Sequence, residues 1–213
     1  LSLTLHGLGT DALFGIVQRV RGMFDVDAPI DDIASSFEKD ATLQRLLRHN
    51  PGVRVPGAWD GWELAVRAVL GQQVSVKAAT TFAGRIAERY GEACELEGLP
   101  NARLFPAPQR LARAQLERLG IIRSRAQTIR DLARATLSGR LSFDVSQDAD
   151  EFARGLRAIR GIGDWTAQYV AMRVLKHPDA FPASDLGLLR AFDSAGGRLK
   201  PAELLARAES WRP

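Results

Sequence analysis

Cysteine is almost absent from this chain: Cys94 stands alone among 213 residues. One thiol excludes an internal disulfide framework and an iron–sulfur cluster held by cysteines. Histidine is scarce as well. His6, His49 and His177 are scattered without metal-ligand spacing, so they read as surface or internally satisfied groups. No apolar run approaches the length that spans a bilayer, and no signal-peptide pattern opens the chain. Lysine is the rare cation, at four of the 29 lysines and arginines. There is no internal repeat, no low-complexity tract and no long linker.

What remains is a chain long enough to bury a sizeable core in one or two domains. Its apolar and charged fractions are ordinary for a globular protein. A net charge of +4 and a pI near 9.7 permit a nucleic-acid partner without showing one. The arginine excess suits phosphate contacts and equally suits a GC-rich genome.

Leu1, Leu3 and Leu5 alternate with Ser2, Thr4 and His6, a short strand pattern. Leu13, Ile16, Val17, Val20 and Phe24 then follow helical spacing. Asp31 to His49 reads as one or two short helices, ended by Asn50-Pro51-Gly52. Trp62, Ala65, Val66, Val69 and Leu70 form the next helical face, interrupted by Gly71-Gln72-Gln73-Val74-Ser75. Ala78, Ala79, Phe82, Ile86 and Tyr90 continue as another helix, with Gly91 as its C-cap. Residues 92–106 read as loop. Pro108 opens a helix carrying Leu111, Leu116 and Leu119, and Gly120 turns the chain. Ser124 and Gln127 fit a capping box for a helix with the stripe Ala126, Ile129, Leu132, Ala133 and Leu137, closed by Gly139. Asp148 and Glu151 fit a further N-terminal cap. Pro201 starts the last helix, with Leu204, Leu205 and Ala208 inward. The chain is nearly all helix after its first strand.

The most informative stretch is Leu156-Arg157-Ala158-Ile159-Arg160-Gly161-Ile162-Gly163-Asp164-Trp165-Thr166-Ala167. Phe152, Leu156 and Ile159 lie on one helical face before it. Ala167, Val170, Ala171, Val174 and Leu175 restart a stripe after it, and Pro178 ends that helix. Gly161-Ile162-Gly163 between them permits a tight reversal with bare backbone. The reading is helix, glycine hairpin, helix. Free N–H groups and the dipole at the start of the second helix make an anion site. Taken alone, G-x-G reads first as a helical turn with glycines for geometry only.

The whole stretch resembles the helix-hairpin-helix DNA glycosylases. Gly161 to Ala167 stands where that superfamily carries its hairpin, and Phe181-Pro182-Ala183-Ser184-Asp185-Leu186 where it carries its catalytic aspartate. Within the superfamily the chain is most similar to the bacterial alkylation-repair branch, of the DNA-3-methyladenine glycosylase II type. Arg54-Val55-Pro56-Gly57, Arg67-Ala68-Val69-Leu70-Gly71-Gln72-Gln73-Val74-Ser75-Val76, Phe105-Pro106-Ala107-Pro108-Gln109-Arg110-Leu111 and Leu119-Gly120-Ile121 carry that likeness. It runs from about the first helix to the last residue.

The resemblance implies a mainly α fold of the helix-hairpin-helix glycosylase type. Residues 1–29 would be a strand-and-helix remnant of an α+β lobe. Residues 30–213 would be the helical region, with the helix-hairpin-helix at 152–176. The chain begins at Leu1 rather than Met and ends at Trp211-Arg212-Pro213, so both ends are expected to be cut, the last helix of the family lying past Pro213.

The implied chemistry is base-excision repair: flipping an alkylated purine from duplex DNA and hydrolysing its N-glycosidic bond. Asp185 would stabilise the cationic sugar or activate water. Ser184-Asp185 ahead of an apolar run is also a plain helix N-cap, and the two roles are compatible. Trp165 stands where strand-cutting relatives carry a Schiff-base lysine, which implies a monofunctional enzyme without lyase activity. Trp165 and Tyr169 share a helix face and, with Leu186, would line the base pocket, where a cationic base gains cation–π energy. By spacing alone the two aromatics are core residues. Leu186 stands where close relatives carry an aromatic, and that departure leaves substrate breadth open.

The resemblance places Gln73 at the intercalating position of the loop that fills the gap left by the flipped base. Its bland reading is a surface turn. Gly161, Gly163, Trp165 and Thr166 would contact phosphate. The carbonyls of Arg157, Ile159 and Ile162 would hold a structural monovalent cation, with no other cofactor implied. Arg123, Arg125, Arg157 and Arg160 would add salt-sensitive charge, or are solvated surface groups. The expected partner is double-stranded DNA with damaged bases, bound by a monomer in the bacterial cytoplasm at the nucleoid, with no membrane involved. The alternatives are a non-catalytic helix-hairpin-helix DNA-binding module, or a glycosylase for uracil, hypoxanthine or an oxidised purine. A neutral leaving base would need a second acid, and the sequence offers no candidate.

Overall fold

The apolar stripes at 3.6-residue spacing fold as helices, and the punctuation by Gly, Pro and capping Asp sets their ends. In the computed structural model, residues 4–5, 9–95, 98–192 and 199–212 are described. Among them the order is α1 (Thr10–Met23), α2 (Ile30–Ser36), α3 (Ala41–His49), α4 (Gly61–Gly71), α5 (Val76–Tyr90), β1 (Glu92–Ala93), β2 (Arg103–Leu104), α6 (Pro108–Leu111), α7 (Arg123–Leu137), α8 (Ala149–Arg157), α9 (Asp164–Val174), α10 (Leu186–Ala191) and α11 (Pro201–Ala208). Short 3₁₀ turns occupy Leu116–Leu119 and Glu209–Trp211. No described helix is long and apolar enough to cross a membrane.

The core is built on α4, which packs against α5, α7 and α9, while α8 packs along α9. Val66, Val69, Leu70, Ile129, Leu132, Leu156, Ala167 and Val170 are sealed from solvent. The fully buried Leu156, on α8, anchors the hairpin's first helix; its truncation to alanine is expected to cost about 3 kcal/mol. Trp62 enters the same core edge-on to Phe143 and satisfies its indole N–H on the Pro106 carbonyl at 2.9 Å. A second, smaller cluster joins Leu189, Phe192 and Leu204 to Leu43, Phe181 and Trp211. It unites α3 from the first quarter of the chain with α10 and α11 from the last. Asp40 holds the joint: it caps α3 and takes two hydrogen bonds from Arg207 and one from the Trp211 indole.

Several expectations are met at single-residue detail. Asp148 caps α8 on the Glu151 N–H, Pro108 occupies the first turn of α6, and Gly120 takes the left-handed conformation that ends the 3₁₀ turn. Gly91 does cap α5, but in extended conformation; glycine is required there because a Cβ would run into the carbonyls of Leu104 and Ala87.

Others are corrected. Residues 92–106 are not all loop: Glu92 pairs with Leu104 and Ala93 with Arg103 in a minimal antiparallel hairpin. The Ser124–Gln127 capping box does not form. The helix α7 begins two residues earlier, at Arg123 with Ile122 as its N-cap, without a side-chain cap, and Gln127 spends its amide on Asp131 one turn on. The helix expected after Pro108 is a single turn followed by a 3₁₀ turn. Leu205 faces outward at 44% exposure while Leu204 and Ala208 are buried, because α11 is covered on one side only. On α1, Ile16 and Val20 are half-buried but Leu13, Val17 and Phe24 are exposed. Leu1, Ser2, Leu3 and His6 of the expected strand lie outside the described residues, and Thr4 and Leu5 have no regular structure.

Candidate active site

The hairpin reverses in six residues between α8 and α9. The Ile159 N–H returns to the Leu156 carbonyl, and Ile162 N–H to the Ile159 carbonyl at 3.0 Å, closing the turn. Gly161 has φ of +95° and lies against Thr128, whose hydroxyl occupies the space a Cβ would need. Only glycine meets both demands. Thr128 also donates to the Arg160 carbonyl at 2.9 Å, so α7 holds the hairpin from beneath. Gly163 differs: a Cβ there would point into open space, and its extended backbone caps α9 without any side-chain acceptor. The first N–H groups of α9 therefore face outward unpaired, at the positive end of the helix dipole. An anion fits there.

Asp164, the first residue of α9, stands beside this anion site. Its carboxylate is held by Arg157 Nη1 at 2.9 Å. Arg125 is also engaged, donating to the Gln72 carbonyl at 2.5 Å. Arg123 and Arg160 are exposed. Thr166 is buried, at 2% exposure, and its hydroxyl accepts from Gln72 at 3.0 Å. Thr166 can thus offer an anion only its backbone N–H.

For a cation, the relevant atoms are the carbonyls at the negative end of α8. Those of Arg157 and Ile162 accept no backbone hydrogen bond among the described residues, and Ile159 keeps one lone pair beyond its bond to Ile162. Backbone carbonyls are the kind of oxygen donor that a hard cation takes. Among the described residues no group of His, Cys, Asp and Glu could hold a metal.

Asp185 caps α10. Its Oδ1 accepts the N–H groups of Gly187 at 2.8 Å and Leu188 at 3.0 Å. Its Oδ2 accepts the indole N–H of Trp165 at 2.8 Å. The carboxylate is half-buried and fixed on both oxygens, by a helix end and by the hairpin's own tryptophan. Trp165 in turn stacks on Tyr169, with ring centroids 5.2 Å apart and planes 10° apart. The two rings thus use one face each on one another, and nothing can slide between them. The Arg173 guanidinium lies over the Tyr169 ring at 5.5 Å from its centroid, so a flat ligand has only the outer face of Trp165 to lie on. Tyr169 is backed by Arg173, whose Nη1 donates to the phenol oxygen at 2.8 Å and whose Nη2 reaches the Gly57 carbonyl at 3.3 Å. Leu186, beside Asp185, is 60% exposed. Lys176 packs its ammonium toward Gly22 of α1, away from the hairpin.

The turn between α4 and α5 carries Gln73, exposed and at φ of +54°. That conformation costs a non-glycine residue on the order of 1 kcal/mol and persists only when its flanks are pinned. They are pinned, by Gln72 on one side and by the Ser75 cap of α5 on the other. Sequence reasoning singled out Gln73 but missed Gln72, Arg173 and the acid Asp164. The Gln72-Gln73 pair at the end of an apolar helix and the i, i+4 spacing of Tyr169 and Arg173 were the available signals; neither says which partner each residue meets.

Residues 1–60 match the AlkA N-terminal domain, and residues 66–213 match the HhH-GPD superfamily of base excision DNA repair proteins. The chain is 38% identical over 177 residues to DNA-3-methyladenine glycosylase 2 of Escherichia coli, covering 82% of this chain and 61% of that protein. It is 37% identical over 195 residues to a Mycobacterium tuberculosis protein named "Probable bifunctional transcriptional activator/DNA repair enzyme AlkA", covering 92% of this chain and 39% of that one. It therefore spans less than two thirds of either relative. The solved 3-methyladenine DNA-glycosylase from Archaeoglobus fulgidus superposes with a TM-score of 0.80 at 22% identity, over 95% of this chain and 70% of that one.

Proposed function

The chain belongs to the HhH-GPD superfamily of base excision DNA repair proteins, and from that membership we propose that it is a monofunctional DNA glycosylase for alkylated purines of the 3-methyladenine and 7-methylguanine type. The observation that carries this reading is the Asp185 carboxylate, oriented by the Trp165 indole N–H on the helix that begins at the free hairpin amides.

In the proposed reaction, Gly161, Gly163, Trp165 and Thr166 bind a phosphate of duplex DNA through backbone N–H groups, with Arg123 and Arg160 adding charge. Gln73 enters the stack as the damaged nucleotide leaves it. The flipped base lies on the outer face of Trp165, near Leu186, where a cationic purine gains cation–π energy. The bond between the sugar C1′ and the base nitrogen breaks, its electron pair leaving with the base. Water adds to C1′, Asp185 stabilises the positive charge developing on the sugar, and the proton that the water loses passes to the Asp185 carboxylate and on to solvent. The products are a free base and an abasic site. A base that is already cationic needs no general acid, which suits a pocket where Asp185 is the carboxylate held against Trp165. A monovalent cation on the carbonyls of Arg157, Ile159 and Ile162 would add fixed positive charge beside the phosphate. The same reading makes the protein a monomer acting on nucleoid DNA in the bacterial cytoplasm.

The test is single-turnover release of 3-methyladenine and 7-methylguanine from methylated duplex DNA, comparing the parent with Asp185→Asn. Asparagine caps helices as well as aspartate does, so the fold is kept. Release by the parent and none by the variant, with equal DNA binding, is expected. Equal turnover in the variant removes Asp185 from the chemistry. Salt-dependent binding with no release from either would leave a DNA-binding module.

A further inference from the structure

The turn that carries Gln73 and the hairpin that carries Gly161 are far apart in sequence, yet one side chain ties them. The Gln72 amide donates to the Gly161 carbonyl and to the Thr166 hydroxyl, both at 3.0 Å. Two hydrogens on one nitrogen serve two acceptors, one in the hairpin turn and one in the first turn of α9. The reverse orientation of the amide would set its oxygen against the Gly161 carbonyl, so the donor role is dictated by the partner. The main-chain carbonyl of Gln72 is held separately by Arg125, at 2.5 Å. Arg125 lies one turn before Thr128, which holds the Arg160 carbonyl. A single turn of α7 therefore supports the Gln73 turn with one residue and the hairpin with another, and Gln72 closes the third side.

We propose that Gln72 is a positioning residue that makes the turn bearing Gln73 and the phosphate-gripping hairpin one rigid unit, so that holding the backbone sets the depth and register at which Gln73 enters the duplex. This rests on the function proposed above. The argument is geometric. Gln73 is displayed at a left-handed φ that its neighbours must enforce, and Gln72 is the adjacent residue with cross-chain bonds. Without those bonds Gln73 would sample other conformations, and the hairpin would grip a phosphate without registering the side chain against the gap left by a flipped base. Undamaged duplex, with no gap to fill, needs the hairpin alone. Duplex carrying an abasic site needs both, so the two substrates separate the roles.

The experiment is equilibrium binding, at fixed salt, of the full chain to two duplexes of the same sequence, one intact and one carrying a tetrahydrofuran abasic analogue. The variants are Gln72→Met, which keeps volume and removes both donors, Gln72→Glu, which sets a carboxylate against the Gly161 carbonyl, and Thr166→Val, which removes one acceptor. The parent is expected to prefer the abasic duplex. Gln72→Met should lower affinity for the abasic duplex about tenfold and change affinity for intact duplex by less than about twofold. Gln72→Glu should lose at least as much, and Thr166→Val about threefold. Adding Gln72→Met to Gln73→Ala should cost nothing further. Should Gln72→Met melt below the assay temperature, Thr166→Val decides alone. An unchanged preference in these variants, or an equal loss on both duplexes, overturns the inference while the parent's preference and base release still stand. A parent with no preference and no base release overturns the proposed function and this inference together.

Discussion

The indole N–H of Trp165 donates to Asp185 Oδ2 at 2.8 Å, joining the hairpin's second helix to the start of α10. A hydrogen bond to an ionised partner is worth about 1.5–3 kcal/mol. Trp165→Phe keeps an aromatic face toward Tyr169 but frees one carboxylate oxygen. Single-turnover base release should slow by about tenfold or more, with binding to intact duplex unchanged. Wild-type rates in that variant would show that the indole does not orient the carboxylate.

A strand-cutting glycosylase forms a Schiff base between a lysine and the sugar. In the proposed reading Trp165 takes the hairpin position for such a lysine; Lys176 is directed toward Gly22 on α1. Borohydride added during turnover on methylated duplex should trap no covalent protein–DNA complex, and the product strand should remain uncut until alkali is added. A trapped band on a denaturing gel would contradict the monofunctional assignment.

Asp164 sets a carboxylate beside amides that would meet phosphate, restrained by its ion pair with Arg157. Removing the charge should favour an anion there. Asp164→Asn is expected to tighten binding to intact duplex about threefold at low salt, the gain shrinking as salt screens it. It should cost a few tenths of a kcal/mol in stability, about 0.3–0.5, because an acid in the first turn complements the helix dipole. Fluorescence anisotropy across a salt series measures the first effect.

Asp40 joins α3 to α11. Burial pushes its carboxyl up, but the hydrogen bonds from Arg207, the Leu43 amide, the Trp211 indole and the Thr42 amide outweigh that, and the net shift is downward. Asp40→Ala removes a cap and leaves the partners of a largely buried carboxylate unpaired, so it should destabilise the fold by about 2–3 kcal/mol. Thermal melting should show a lower Tm, with Leu204 and Phe192 losing protection first in hydrogen exchange.

Glu117 accepts both guanidinium nitrogens of Arg130, and that hydrogen bonding drives its carboxyl from 4.5 to about 2. A carboxyl depressed in the folded state contributes stability that is fully present above its unfolded value and lost as pH falls through the folded one. Its contribution should thus fade between about pH 4.5 and pH 2. Glu117 is 40% exposed, so solvent screening holds the effect near 0.5 kcal/mol. Denaturant titrations at pH 6 and pH 3 should show Glu117→Gln less stable than the parent at pH 6 and closer to it at pH 3.

Much of this protein is local, and what is local was legible. Periodicity placed the helical stripes from Trp62 onward, because a stripe that must face a core repeats every turn whatever the core turns out to be. Asp148, Pro108 and Gly120 marked boundaries, because capping and turn chemistry act over three or four residues. The hairpin's form was legible too, since Gly161 and Gly163 interrupt two helical stripes with residues that permit a tight reversal. The Ser124–Gln127 box is a local reading that failed: Gln127 had a competing partner, Asp131, one turn away, and nothing in the pattern ranks the two.

What the sequence by itself determined is a mainly helical chain with a glycine hairpin, an aspartate downstream of it and no thiol, histidine or lysine arrangement for another chemistry. Tertiary structure decided what those residues face. Whereas the stack of Tyr169 on Trp165 lies within α9, Trp165 donating to Asp185, Thr166 turned inward to Gln72, and Gln72 bridging to Gly161 are contacts between segments that meet only after the helices pack. Such contacts depend on the relative placement of helices to within an ångström. Helix packing sets that placement through the summed fit of many small apolar contacts, and no single residue type encodes it.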